Sequence, residues 1–196
     1  MSTEVKGNQT TITRRGVPKW AQIVIWLILL ALLSVLAISL LRAQQGTIQV
    51  GERVPDFTLP LLEGYEYNGQ QEVRLSDLRG KVVMINFWAS WCDPCEMEAA
   101  ALEAVWRDYQ PGGEVVFLGV DWVDTEPEAR SYLVKFDITF PSGPDQGTRI
   151  SQIFRIDGVP ETYFIDRQGI LRNIQIGPFP SQEAVRVIVD SLLAEQ

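Results

Sequence analysis

Histidine is absent from this 196-residue chain, and cysteine occurs only twice, at Cys92 and Cys95. The first absence removes His-assisted thiol catalysis, the Ser-His-Asp triad, zinc sites built on imidazole and haem attachment with a histidine axial ligand. The second reduces any disulfide framework to one pair. A basic surplus is also missing. The formal net charge is -8, which argues against nucleic acid as the main partner, because phosphate contacts draw on Lys and Arg. No nicotinamide or flavin fingerprint is present, so no cofactor is expected. There is no internal repeat and no low-complexity segment. What remains is 46% hydrophobic and 21% charged, a globular composition.

The charge is unevenly spread. Residues 1–41 carry Lys6, Arg14, Arg15 and Lys19 against Glu4, a net of +3, while the rest carries 13 basic and 24 acidic residues, a net of -11. Between them, Trp20 to Leu41 is a 22-residue run with no charged side chain. A helix of that length rises about 33 Å, enough to cross a hydrocarbon core of roughly 30 Å. The preceding positive charges place the N-terminus in the cytoplasm and the body outside. The expected organisation is a cytoplasmic tail over 1–19, a transmembrane signal anchor over 20–41, a linker over 42–50 and a folded domain over 51–196. Cleavage after a signal sequence is the alternative, and Ala37-Ile38-Ser39 offers suitably small residues. The run exceeds the roughly 7–15 residues of a signal core, which favours the uncleaved anchor. No cysteine follows it to carry a lipid.

In the body, Val54–Leu62 and Glu72–Leu75 read as short strands around a turn, and Ser76–Gly80 as one helical turn ended by glycine. Lys81–Trp88 and Glu114–Val120 are continuous apolar runs that suit buried strands. Pro94–Tyr109 and Glu126–Phe136 read as helices, the second capped by Thr125. Asp137–Gly147 reads as loop, and Thr148–Phe154 as a short helix. Glu161–Asp166 and Ile170–Ile176 flank a hairpin turn, and Ser181–Ala194 carries the apolar stripe of an amphipathic helix. This order, βαβ, then α, a hairpin and α, specifies an α/β fold with a central mixed sheet and helices on both faces.

Cys92-Asp93-Pro94-Cys95 lies where a buried strand turns into a helix. Cys92 at the helix N-terminus would meet unpaired N–H groups and the positive end of the dipole, which lower a thiol pKa. Asp93 beside it opposes the thiolate and biases the pair toward reducing behaviour. Pro94 in the first turn costs no helix hydrogen bond. A purely structural disulfide across so short a loop would contribute only about 2 kcal/mol. A structural zinc site has too few ligands. Glu96 stands where haem attachment needs histidine. Redox chemistry is the reading that survives.

Four segments together resemble the thioredoxin fold, in its membrane-anchored extracytoplasmic TlpA/ResA/DsbE branch within the AhpC/TSA-redoxin superfamily. They are Val54-Pro55-Asp56-Phe57, Leu75-Ser76-Asp77-Leu78-Arg79-Gly80-Lys81, Asn86 through Cys95, and Gly158-Val159-Pro160-Glu161-Thr162-Tyr163-Phe164-Ile165-Asp166. The resemblance covers roughly Val50 to the C-terminus. It implies that Cys92 attacks and Cys95 resolves, and that Val159-Pro160 is a cis peptide facing the dithiol where substrate backbone docks. Asn86 stands where ordinary thioredoxin has a buried acid that assists proton transfer, work that asparagine cannot do. Glu98 matches a glutamate of this branch and is expected to take the proton from Cys95. Its alternative is an ordinary acid near a helix start. Trp88 is expected to pack, Trp91 to form a surface platform and Glu161 to contact substrate.

The implied activity is thiol–disulfide exchange, reducing disulfides of extracytoplasmic proteins, with apocytochrome c the substrate of the branch and a membrane electron donor of the CcdA/DsbD type supplying the electrons. A thiol peroxidase is one alternative, although it needs Thr three residues before the cysteine where this chain has Ala89. A copper chaperone is another, although it needs Cys-x-x-x-Cys and a distant histidine. Both departures count against them.

Overall fold

A computed structural model describes residues 18–44 and 48–195. These fall into two units that divide between Gln45 and Gly46. The first contains one helix, α1 (Lys19–Gln44). Its stretch Lys19–Ile38 has a mean hydropathy of 2.7 and is long and apolar enough to cross a membrane. Helix α1 continues three residues beyond the expected span, so the first part of the expected linker is helical. Residues 1–17 of the expected cytoplasmic tail and residues 45–47 of the linker lie outside the described residues.

The second unit is built on two sheets. Strands β1 (Thr58–Pro60) and β2 (Glu72–Arg74) pair antiparallel as a small hairpin. A 3-10 turn over Leu75–Leu78 leads into β3 (Val82–Trp88). Then follow α2 (Asp93–Tyr109), β4 (Val115–Asp121), α3 (Glu126–Lys135), β5 (Ser142–Pro144), α4 (Arg149–Phe154), β6 (Glu161–Ile165), β7 (Leu171–Ile176) and α5 (Gln182–Ala194). The main sheet has the order β5-β4-β3-β6-β7. Strands β3, β4 and β5 run parallel, and β6 and β7 are antiparallel to their neighbours. This is the mixed α/β sheet expected from the order of the segments.

Strand periodicity divides the core. On β3, Val82, Met84 and Trp88 face α2, α3 and α5, in a layer with Leu102, Trp106, Leu133 and Val189. Val83, Ile85 and Phe87 face the other way, toward Phe57, Leu59, Leu78, Ile150 and Phe154. Every residue of β3 and β4 is buried, which is why both read as unbroken apolar runs rather than alternating ones. Thr125 and Glu128 form the capping box of α3, with Pro127 in its first turn. The short strand β5 is a departure, because Ser142-Gly143-Pro144 reads as loop. It is imposed from outside, by pairing with Gly119, Val120 and Asp121 of β4.

Candidate active site

The residue that ends the loop after β3 is Cys92, and it caps α2. Its φ of -93° and ψ of 99° are extended, and its Sγ accepts the Cys95 N–H at 3.1 Å. The cap is the geometry that a polar side chain adopts to satisfy a free N–H at a helix start. Here the accepting group is sulfur, so negative charge at Cys92 meets a hydrogen bond and the helix dipole together. Cys92 and Cys95 are joined by a disulfide, with the Cα atoms 5.2 Å apart. Both cysteines are buried, while the neighbouring Trp91 is 60% exposed and lies near Trp122, ring centroids 6.3 Å apart. Asp93 and Glu96 occupy the first turn of α2, and Pro94 fits there without a lost bond.

Across the dithiol, the Val159–Pro160 peptide is cis. The Val159 carbonyl oxygen lies 3.4 Å from Cys92 Sγ. That loop is held from below by Glu161. Its carboxylate is buried and accepts the N–H groups of Asp157 and Gly158 and the hydroxyl of Tyr163, the last at 2.7 Å. Three donors occupy the group that sequence reasoning had turned toward substrate. Strand alternation explains the inward direction: Glu161 and Tyr163 share one face of β6, and Thr162 takes the other.

Thr162 pairs in register with Asn86, and the Asn86 amide donates both to Thr162 Oγ1 and to Glu98 Oε1, each at 2.9 Å. The second Glu98 oxygen accepts the Phe179 N–H at 2.8 Å. Glu98 is 1% exposed. Burial pushes its carboxyl up to about 7, against the Phe179 N–H and the Asn86 amide, which both favour the ionised form. Asn86 therefore carries no proton itself but holds a carboxyl that can. An amide can serve either state, since turning it presents its oxygen to a protonated Glu98. The Cys95 carbonyl accepts the Tyr132 hydroxyl at 3.0 Å, and Tyr132 stacks on Trp88 at 4.4 Å, which locks the start of α2 to α3.

Sequence reasoning named the cysteines, Asn86, Glu98 and the Val159-Pro160 bond, and the structure brings these together. Tyr132 and Phe179 carried no such signal, and Thr162 stood only within the motif over residues 158–166, with no role of its own. Nor did sequence reasoning name Asp121 and Asp124, although a charged residue that ends an apolar strand beside the site is a visible signal. Among the described residues no group of His, Cys, Asp and Glu is arranged to hold a metal.

A helix-capping sulfur bonded to its partner one turn on is suited to exchange: it opens to a dithiol and passes two electrons to another disulfide, or accepts them. The fold and this site define a thiol–disulfide oxidoreductase of thioredoxin-like architecture. Residues 50–174 match the AhpC/TSA family, and the chain belongs to it. It is similar to the thiol-disulfide oxidoreductase ResA of Oceanobacillus iheyensis, with 35% identity over 154 residues, 78% of each chain. It is also similar to ResA of Geobacillus thermodenitrificans, with 32% identity over 82% of this chain and 88% of that one. Among solved structures, a protein assigned as thiol:disulfide interchange protein DsbE from Chlorobium tepidum superposes with a TM-score of 0.66 and 26% identity. It covers 75% of this chain and 99% of its own.

Proposed function

We propose that this oxidoreductase is a membrane-anchored reductase that acts outside the cytoplasm on disulfides of exported proteins, apocytochrome c among them. The observation that carries the direction of attack is the cap: Cys92 Sγ holds the Cys95 N–H at the positive end of α2. The reduced Cys92 thiolate attacks a target disulfide, forming a mixed disulfide and releasing one target thiolate. Cys95 gives its proton to the Glu98 carboxylate and attacks Cys92 Sγ. The second target thiolate leaves, and the enzyme is left as the Cys92–Cys95 disulfide seen here. Target substrate backbone docks at Val159 and Pro160, and exposed Trp91 forms the rim. Glu161 positions that loop rather than touching substrate. Asp93 moderates the Cys92 thiolate and Pro94 keeps the first turn rigid. The names of the relatives support thiol–disulfide exchange, and the cytochrome c substrate rests on the resemblance to the TlpA/ResA/DsbE branch. A disulfide-compartment enzyme of this kind needs its electrons renewed, and a membrane donor dithiol of the CcdA/DsbD type fits a chain anchored by α1.

The roles are tested by trapping. Cys95→Ser should accumulate mixed disulfides through Cys92, because nothing remains to resolve them, with apocytochrome c captured in cells that make it. Cys92→Ser should trap nothing, since Cys95 lies within the first turn of α2, behind the cap position that activates Cys92. Equal trapping by the two variants would overturn the assignment. A thiol peroxidase remains the alternative chemistry in this family. Ala89 in place of the peroxidase threonine disfavours it, and a peroxide-consumption assay separates the two.

A further inference from the structure

The apolar run of β4 ends at Asp121, which is 2% exposed and in register with Trp88 at the end of β3. Three residues on, Asp124 turns back. Its Oδ2 accepts the Ser90 N–H at 2.5 Å, two residues before Cys92. The Trp88 carbonyl meanwhile accepts the Trp122 N–H at 2.8 Å, so the two strand ends are stitched twice along the segment that leads into Cys92. The chain reaches this geometry through Val123, whose φ is 69°. A β-branched residue rarely adopts that left-handed conformation. The Val123 side chain is 60% exposed, so its own packing does not account for the turn. What the turn achieves is the placement of Asp124 against both Asp121 and Ser90.

The buried Asp121 carboxyl lies within reach of both the Asp124 carboxyl and the Asp124 N–H. Two carboxyl groups this close in a buried site disfavour a second negative charge, so the pair favours holding one proton between them. The remaining Oδ1 atoms of both residues, like Trp88 Nε1, are buried without a protein partner among the described residues. We propose that Asp124 is a positioning residue for the turn that carries Cys92, and that it works as half of a proton-sharing pair with Asp121. The charges around the pair are those of its own members and of Glu128 on α3, which adds a further negative field at Asp121. Tyr132 on α3 senses Asp124 as well. Burial first, then the charge of Asp124 and the bond with it, push the Asp121 carboxyl up to about 8. Loss of the shared proton at alkaline pH leaves two like charges in contact. Asp124 then swings from Ser90, the Cys92 turn loosens, and the added charge opposes the Cys92 thiolate. The inference rests on Cys92 being the attacking thiol.

The test uses the full chain carrying Cys95→Ser and Glu98→Gln, so that only Cys92 and the carboxyl pair titrate near the dithiol. Its iodoacetamide alkylation rate should show a second inflection on the alkaline side of the thiol titration. Adding Asp121→Asn or Asp124→Asn should return a one-site curve. In the otherwise unaltered enzyme, Asp124→Ala should slow disulfide exchange about tenfold, the equivalent of one hydrogen bond to a charged acceptor. Asp124→Asn should recover most of that loss, because its oxygen still meets Ser90 and its amide still donates to Asp121. A one-site curve before the Asp substitutions, or an inflection that survives Asp124→Asn, would overturn the proposal. Alkylation needs no substrate, so a failure of the reductase reading would show separately, as an unaltered enzyme that exchanges with no disulfide.

Discussion

Glu98 is a carboxyl group placed where water does not reach, between an asparagine amide and a backbone N–H. Its raised pKa has a consequence for stability as well as for chemistry. The folded protein holds the Glu98 proton up to about pH 7, while the unfolded chain releases it near 4.5. Between those values the native state binds more protons, so stability is greatest below the lower value and declines as pH rises through the upper one. The full difference is about 3 kcal/mol. Glu98→Gln should therefore flatten the fall in urea-unfolding free energy between pH 4.5 and 8, leaving the part due to Asp121, whose shift has the same sign. The same variant should lower the cysteine pKa values and slow resolution at high pH, since the acceptor for the Cys95 proton is gone. Superimposable stability and exchange profiles would make Glu98 an ordinary structural acid.

At the scale of elements, the strand that sequence periodicity misses is the one with the tightest local fit. Gly143 in β5 lies so close to the β1 hairpin that a Cβ there would stand 1.8 Å from the Pro60 carbonyl oxygen. The Leu62 N–H is bonded to the Ser142 carbonyl at 2.9 Å, so the hairpin and the sheet edge hold each other. Gly143→Ala should cost roughly 2–3 kcal/mol, because the backbone it meets cannot yield as a side chain can. Urea unfolding at fixed pH measures it, and a change below about 0.5 kcal/mol would show that the hairpin moves freely from β5. Helices α3 and α5 need no such help, because their Thr125 and Ser181 caps are written in the sequence and both are seen.

For the whole molecule, the distribution of charge about α1 sets the expected topology. Protease added to spheroplasts should digest the domain from about Ala43 onward and spare the N-terminal tail. Recovery of the domain in the cytosol would overturn the orientation, and a soluble domain outside the cell would indicate cleavage of α1. One apolar helix and one redox domain share a single chain, and on the proposed reading this would confine the enzyme to the membrane surface where its electrons arrive.

The elements legible in the residues are those whose signal is local. A buried parallel strand such as β3 is an unbroken apolar run, α2 begins at a cysteine cap with proline behind it, and α5 shows its stripe at Val185, Val189 and Leu192. The Cys92–Cys95 pair is local for the same reason, three residues apart. The rest of the site is assembled from afar: Val159 meets Cys92 across 67 residues, Thr162 meets Asn86 across 76, and Phe179 meets Glu98 across 81. No periodicity within a segment encodes those meetings. Sequence by itself determined the dithiol, its strand-to-helix setting and the apolar span. Only the tertiary structure decided that Glu98 is sealed from water, that Glu161 turns inward to hold a loop, and that Asp124 reaches Ser90. Each depends on which face of a strand meets which neighbour, and in a packed sheet that is settled by register and burial between distant segments.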